Sequence, residues 1–372
     1  MKYLRLKDAC EILDSLRVPV TASNREKGKY PYYGANGIQD YISDYIFDDE
    51  LVLLAEDGGN FGSKEKPIAY RVSGKCWVNN HAHVLKPKQG LDVDYLCYSL
   101  MFYKVDGMVN GATRQKLTQT AMKEMKIPMR NMGKQLQIVD ELNRTVNVKE
   151  HRKQQLKLLD ELVKARFVEM FGTLHDNENG FDIVTIEDVC SLIKDGTHQT
   201  PQYTEDKKEG YKFLSSKDVM SQKVDWTNIK YIPAELHEKL YATIKPQRND
   251  ILMSKNGVNY GIAAVNDTDE VFDIYVSLAL LRPKKIIDPV FLKCVINNPE
   301  TKWQFDSSIK GIGVPNLHLG EIKKTRMFLP PIELQNQFSD FVKQVDKSKV
   351  AIKKSLDETQ ILFDSLMQKY FG

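Results

Sequence analysis

From Lys134 to Phe171 the chain carries no proline or glycine, and Ile138, Leu142, Val146, Leu156, Leu159, Val163 and Phe167 recur along it at helical spacing. A second stretch near the end carries the corresponding stripe in Phe338, Phe341, Val345, Ile352, Leu356, Leu362 and Leu366, and both stretches close on Phe-Gly. Each predicts one long helix. Lys149, Arg152 and Ser348 interrupt the stripes, so neither helix suits water alone, and burying the stripes against each other as an antiparallel coiled coil is the simplest outcome. Roughly 37 helical residues extend about 55 Å, comparable to one and a half turns of B-DNA.

Between and before these helices the pattern changes to short apolar runs broken by Gly, Asn and Pro. Leu51-Val52-Leu53-Leu54, Ala82-His83-Val84-Leu85 and the segment Tyr275 to Leu281 predict strands. Helices are expected at Asp94 to Phe102 and at Pro289 to Ile296. A shift of 200 residues lays the second half over the first: Gly111, Leu117, Lys123, Gln135 and Leu156 meet Gly311, Leu317, Lys323, Gln335 and Leu356. With small gaps, Leu6 to Cys10 answers Ile186 to Cys190 and Glu50-Leu51-Val52 answers Asp250-Ile251-Leu252. A period this long is a whole domain plus connector rather than a solenoid repeat. The expected architecture is α+β: two similar globular domains with curved β-sheets at 1–130 and 173–330. Two long spacer helices at 131–172 and 331–372 separate them, with approximate internal two-fold symmetry.

Composition narrows the chemistry. The chain has 372 residues, 42% of them hydrophobic and 28% charged, with a net charge of only +3, so any nucleic-acid face must come from local clustering of its 53 Lys and Arg. No apolar run suits a membrane span, and the start is unlike a signal peptide. Five scattered cysteines form no Cys-x-x-Cys, and Cys10 and Cys190, at matching points of the repeat, read as core residues in a reducing, cytoplasmic setting. No phosphate-binding loop, Gly-x-Gly-x-x-Gly turn or amino-methyltransferase tetrapeptide occurs. The Glu-x-Lys fragments at Glu124 and Glu321 read as solvated helix faces, and His81 and His83 lack further metal ligands of matching spacing, so no metal is expected.

What remains is a set of loops rich in side chains that contact phosphates and base edges. In the first copy these are Lys29, Tyr32, Asn36, Asn60, Lys64, Lys66, Arg114, Gln115 and Lys116. In the second they are Thr197, His198, Gln199, Thr200, Tyr203, Lys217, Lys255, Asn256, Asn259, Tyr260, Lys310 and Asn316. Glu56 to Phe61 and Lys255 to Tyr260 occupy matching positions with different chemistry, as two readers of different short sequences require.

The chain resembles the specificity subunits of type I restriction-modification systems. The resemblance rests on Tyr32-Tyr33-Gly34-Ala35-Asn36-Gly37-Ile38, Val52 to Gly58 and Gly111-Ala112-Thr113-Arg114-Gln115-Lys116-Leu117. In the second copy it rests on Asp195-Gly196-Thr197-His198-Gln199-Thr200-Pro201 and Leu329-Pro330-Pro331-Ile332-Glu333-Leu334-Gln335. It covers essentially the whole chain in the order target-recognition domain, helix, target-recognition domain, helix. One departure is Ile127-Pro128-Met129-Arg130 ahead of the first helix, where the second copy has the fuller motif. The resemblance implies a non-catalytic reader of a bipartite double-stranded DNA target, cytoplasmic and nucleoid-associated, whose helices set the gap between half-sites. Two methyltransferase subunits bringing S-adenosylmethionine, and restriction and translocase subunits bringing ATP and Mg, would dock on it, with no cofactor on this chain. A fragment of a single-chain DNA-modifying enzyme and a structural adaptor that never meets DNA are the readings to be separated from this one.

Overall fold

The computed structural model describes residues 2–111, 114–309 and 315–372, and Lys310 lies outside them. The long helices run Met132–Phe171 and Ile332–Phe371. The chain divides into two compact units, Met1–Gln154 with Lys353–Gly372, and Gln155–Ile352, so each unit draws on both long helices.

In the first unit a six-stranded sheet has the order Cys10–Ile12, Ala82–Pro87, Phe47–Ala55, Ala69–Val78, Lys27–Gly34, Gly37–Ile42. The pairings are antiparallel except that of Lys27–Gly34 with Ala69–Val78. Leu51 to Ala55 are fully buried, as a central strand covered on both faces requires. The helix Val93–Met101 covers the sheet; Asp92 caps it, accepting the Tyr95 N–H at 2.9 Å. A two-stranded ribbon of Lys2–Arg5 and Lys126–Met129 ties the chain start to the segment entering the first long helix.

The second unit repeats this frame. Cys190–Asp195, Leu278–Pro283, Ile251–Ser254 and Ala263–Val265 form a four-stranded sheet, and Asp182–Thr185 pairs with Arg326–Leu329 before the second long helix. Pro289–Ile296 answers Val93–Met101, again capped by an aspartate, Asp288, with proline at its start. The unit adds a three-stranded sheet of Lys230–Ile232, Tyr211–Leu214 and Phe272–Ile274, and two helices, Ala234–Tyr241 and Pro299–Ser308.

The same buried amide locks both long helices. Gln135 accepts the Asp92 N–H at 2.9 Å and donates to the carbonyls of Gly90 and Arg130, both at 2.8 Å. Gln335 accepts the Asp288 N–H at 2.9 Å and donates to Ile286 and Pro330. The departure ahead of the first helix has a local remedy, since the Asn131 carboxamide accepts the Lys134 N–H at 2.9 Å.

Within each unit the helix segments run antiparallel. In the first, the Tyr370 hydroxyl donates to Glu141 at 2.5 Å, and Lys149 Nζ lies 4.8 Å from the Phe363 ring centre, so the lysine that interrupts the stripe still serves the pairing. In the second, Lys349 donates to Asp160 at 2.5 Å, and Phe338 meets Phe167 edge-on at 5.5 Å. Ile138, Leu142, Phe338 and Val345 are buried, while Leu156, Leu159, Val163, Ile352, Leu356 and Leu366 are half-buried. Leu362 is corrected: it is 52% exposed, and Phe363 takes the buried place at 4%. The heptad step from Leu356 lands on residue 363, whereas residue 362 lies a full residue rotation off the seam.

Candidate nucleic-acid interface

Loops from the ends of the first unit's central strands meet at one rim. The Glu56 N–H donates to the His81 carbonyl at 2.9 Å, Leu117 N–H to Glu56 at 2.7 Å, and Gly58 N–H to Gln115 at 3.0 Å. The Asn36 carboxamide donates to the Gly58 carbonyl at 3.0 Å, drawing in the turn between the strands Lys27–Gly34 and Gly37–Ile42. Asn36, Arg114, Gln115 and Lys116 are exposed here, and Lys64 and Lys66 lie exposed on the loop that continues from Gly58 through half-buried Asn60. Lys29 is exposed too, but towards the far end of its strand from Asn36, with its ammonium 5.3 Å over Tyr30.

The second unit builds the same ladder. The Lys255 N–H donates to Ser277 at 3.0 Å, Leu317 N–H to Lys255 at 2.8 Å, and Gly257 N–H to Pro315 at 3.0 Å. Asp57 bridges Lys116 in one copy as Asn256 bridges Asn316 in the other. Gly58 and Gly257 take φ of +69° and +84°, a left-handed turn that explains glycine at both points. Thr197 joins the rim through a bridge to Tyr275, and the Ser216 N–H donates to the Ser277 hydroxyl at 3.0 Å, while the neighbouring Lys217 gives its ammonium to Asp218 and to the Asn228 carbonyl at 3.0 Å. His198, Gln199, Thr200, Asn259 and Asn316 are exposed. Tyr203 is half exposed, with Lys230 4.0 Å over its ring.

Three of the expected contact residues are buried, and for them the expectation is corrected. Tyr32 is 1% exposed, its hydroxyl bonded to the Val20 backbone and Arg25 stacked 4.2 Å over its ring. Lys255 is 4% exposed and donates to Asp195 at 2.8 Å. Tyr260 is 8% exposed, bonded to Asp306 and covered by Lys302 at 3.7 Å. All three hold the loops in place and do not project from them.

Beneath the rims the buried charge is reversed between copies. In the first, Glu56 binds Arg17 at 2.6 Å and Lys116 at 3.1 Å. His83 lies wholly buried beside it, with Nδ1 2.6 Å from Asp14 and Nε2 2.9 Å from the Leu117 carbonyl. Burial would lift the Asp14 carboxyl, but His83, Gln119 and the Val84 N–H together hold it below the usual range. Asp14, Glu56 and His83 lie close enough to suggest a cation site. Arg17 already supplies the positive charge, reaching Glu56, Asp14 and the Ala82 carbonyl, so the cluster is an internal anchor. His81 precedes the strand, with Nδ1 facing the Arg114 guanidinium at 3.4 Å, whereas the His83 ring is taken up by Asp14 and the Leu117 carbonyl, so the two imidazoles have separate partners. In the second copy the buried group is Lys255 and the carboxylate is Asp195, which burial would raise but Lys255 and His198 hold low.

The remaining chemistry in view is structural. Burial pushes the thiols of Cys10, Cys76, Cys97 and Cys190 up to about 12, well away from reactive thiolates. Glu124 is paired with Lys7 at 2.5 Å and Lys323 with Glu187 at 2.9 Å. Among the described residues, no helix is long and apolar enough to cross a membrane. Sequence reasoning missed Asp57, His81, Asp195 and Ser277, which position the rims, and the part played by Gln135 and Gln335. The 200-residue register already paired the two glutamines, and that pairing was the available signal.

A family model described as the type I restriction modification DNA specificity domain matches residues 1–158 and 178–360. A putative type I restriction enzyme specificity subunit from Haemophilus influenzae is 36% identical over 139 residues, which is 37% of this chain and 36% of that protein. The chain thus matches only about a third of that relative's length. The MjaVIII specificity subunit of Methanocaldococcus jannaschii is 21% identical over 376 residues, spanning 93% of this chain and 86% of that one. The crystal structure of the S subunit of a type I restriction-modification system from M. genitalium superposes with a TM-score of 0.60 at 14% identity, covering 100% of this chain and 96% of that one. At that identity the likeness concerns the fold.

Proposed function

The chain belongs to the type I restriction-modification DNA specificity family, and on that footing we propose that each of its two rims reads one half of a bipartite double-stranded DNA target. The observation that carries this reading is the shared backbone ladder at 56–58 and 255–257 presenting different tips, with opposite charges buried beneath. A common frame with exchangeable ends suits two readers of unlike half-sites. The long helices set the gap between half-sites, a role supported by their unbroken 40-residue lengths.

The helices also dock two methyltransferase subunits. Leu136, Val148, Ile361 and Leu362 in the first unit, and Leu158, Leu162 and Val350 in the second, are apolar yet exposed, as a surface covered by a partner would be. S-adenosylmethionine comes with those subunits, ATP and Mg come with restriction and translocase subunits, and this chain performs no catalysis. The assembly works on cytoplasmic, nucleoid DNA.

A salt titration of DNA binding, with the full chain alone and with methyltransferase subunits, tests the reading. Neutralising 6–10 phosphates predicts an affinity loss of about 10³–10⁵ between 50 and 200 mM salt, with one sequence standing at least about 10³-fold above background. A shallow salt dependence without sequence preference would overturn it.

A further inference from the structure

One cation on the first rim is already aimed. Arg114 Nε forms an ion pair with Asp57 Oδ1 at 2.6 Å, and NH2 is hydrogen-bonded to His81 Nδ1 at 3.4 Å. The same edge of the guanidinium lies over Gly58, where a Cβ would stand only 3.1 Å from Nε. The Nε edge is therefore turned towards the protein. NH1 has no partner among the described residues, and the side chain remains 59% exposed.

What the rim offers outward is the NH1–NH2 end, two nearly parallel N–H donors in a planar fork. That fork matches the O6 and N7 acceptors of guanine in the major groove. A loose lysine or unpinned arginine serves any phosphate. A guanidinium held along one edge has given up much of its rotamer freedom before binding and accepts a narrower set of partners.

The second copy has other residues at the two matching positions. The matching loop carries Asn256 where the first has Asp57, and the 200-residue register places Val314 opposite Arg114.

We infer that Arg114 reads a guanine in the half-site recognised by the first unit, and that Asp57 is the positioning residue that fixes the guanidinium for that contact. This rests on the DNA-reading function proposed above.

The test uses the full chain assembled with methyltransferase subunits and a DNA library randomised across both half-sites. Wild type is compared with Arg114→Ala, Arg114→Lys and Asp57→Asn, and thermal unfolding confirms that each variant is folded. The half-site belonging to the first unit is the one that persists when residues 173–330 are exchanged for those of a relative. Wild type is expected to require guanine at one position there. Both Arg114 variants relax that position by roughly 5- to 150-fold and leave the other positions alone. Asp57→Asn relaxes the same position while binding to random DNA holds or rises, because a carboxylate near phosphates has been removed. Equal weakening of all sequences by Arg114→Ala would make the residue a phosphate contact and overturn the inference. Full guanine preference in Asp57→Asn would remove the positioning role. A wild-type assembly with no sequence preference would bring down the DNA-reading function itself, whereas a preference indifferent to Arg114 would bring down only this inference.

Discussion

Replacing Phe363 by alanine should strongly destabilise the first unit's helix seam, while the same change at Leu362, one residue away, should do little. Phe363 is 4% exposed, packs with Tyr98 at a ring distance of 6.5 Å and carries Lys149 over its face. Its burial contributes about 1.5–3 kcal/mol, and the cavity left by truncation brings the expected cost to about 3–5 kcal/mol. Burial already holds the Lys149 ammonium below its ordinary range, with Lys153 adding to the effect, so losing the ring removes support from a group that is poorly hydrated. Leu362 is 52% exposed and should cost no more than about 0.5 kcal/mol. For a unit of this size, about 2–4 °C of melting temperature follows each kcal/mol, so Phe363→Ala should lower the first unit's transition by about 6–20 °C. Calorimetry of the full chain reads both variants. A larger loss in Leu362→Ala than in Phe363→Ala would refute the assigned seam.

Three further outcomes are expected. Gln335→Ala strips three backbone groups of their buried partner and should destabilise the second unit by about 2–4 kcal/mol, measured by urea unfolding. Lys255→Met leaves Asp195 without its main counter-charge and should cost about 3 kcal/mol near neutral pH. Because the folded Asp195 carboxyl titrates below its ordinary range, that stabilisation is present above about pH 4 and fades as pH falls through the depressed value. Wild type and Lys255→Met should therefore converge in acid, and a gap that stays constant with pH would contradict the pairing. Deleting one matched heptad from each long helix shortens the rise by about 10 Å and should reduce the preferred gap between half-sites by about three base pairs; methylation mapping with an unchanged gap would rule out the spacing role.

The duplication was legible because it preserves framework residues: the helices, the Asp92 and Asp288 caps and the Gln135–Gln335 pair recur where a shift of 200 residues or a small gap places them. The second stripe went astray at one point, where Leu356 to Leu362 is a step of six and the seam needs seven. The rims were harder to read. Lysine and tyrosine in a loop look like ligands for DNA, yet Lys255 is claimed by Asp195, sixty residues away, and Tyr32 by the backbone of Val20. Such partners are long-range and leave no local pattern. A carboxylate such as Asp57 repels phosphate when read alone, and its use at the rim is visible only through its ion pair with Arg114.

The central claim is that two independent readers share one chain, and exchanging residues 1–130 for the corresponding domain of a relative tests it most directly. Methylation mapping of cells carrying the chimera should show one half of the recognised sequence replaced and the other half retained. Alteration of both halves, or of neither, would contradict the account.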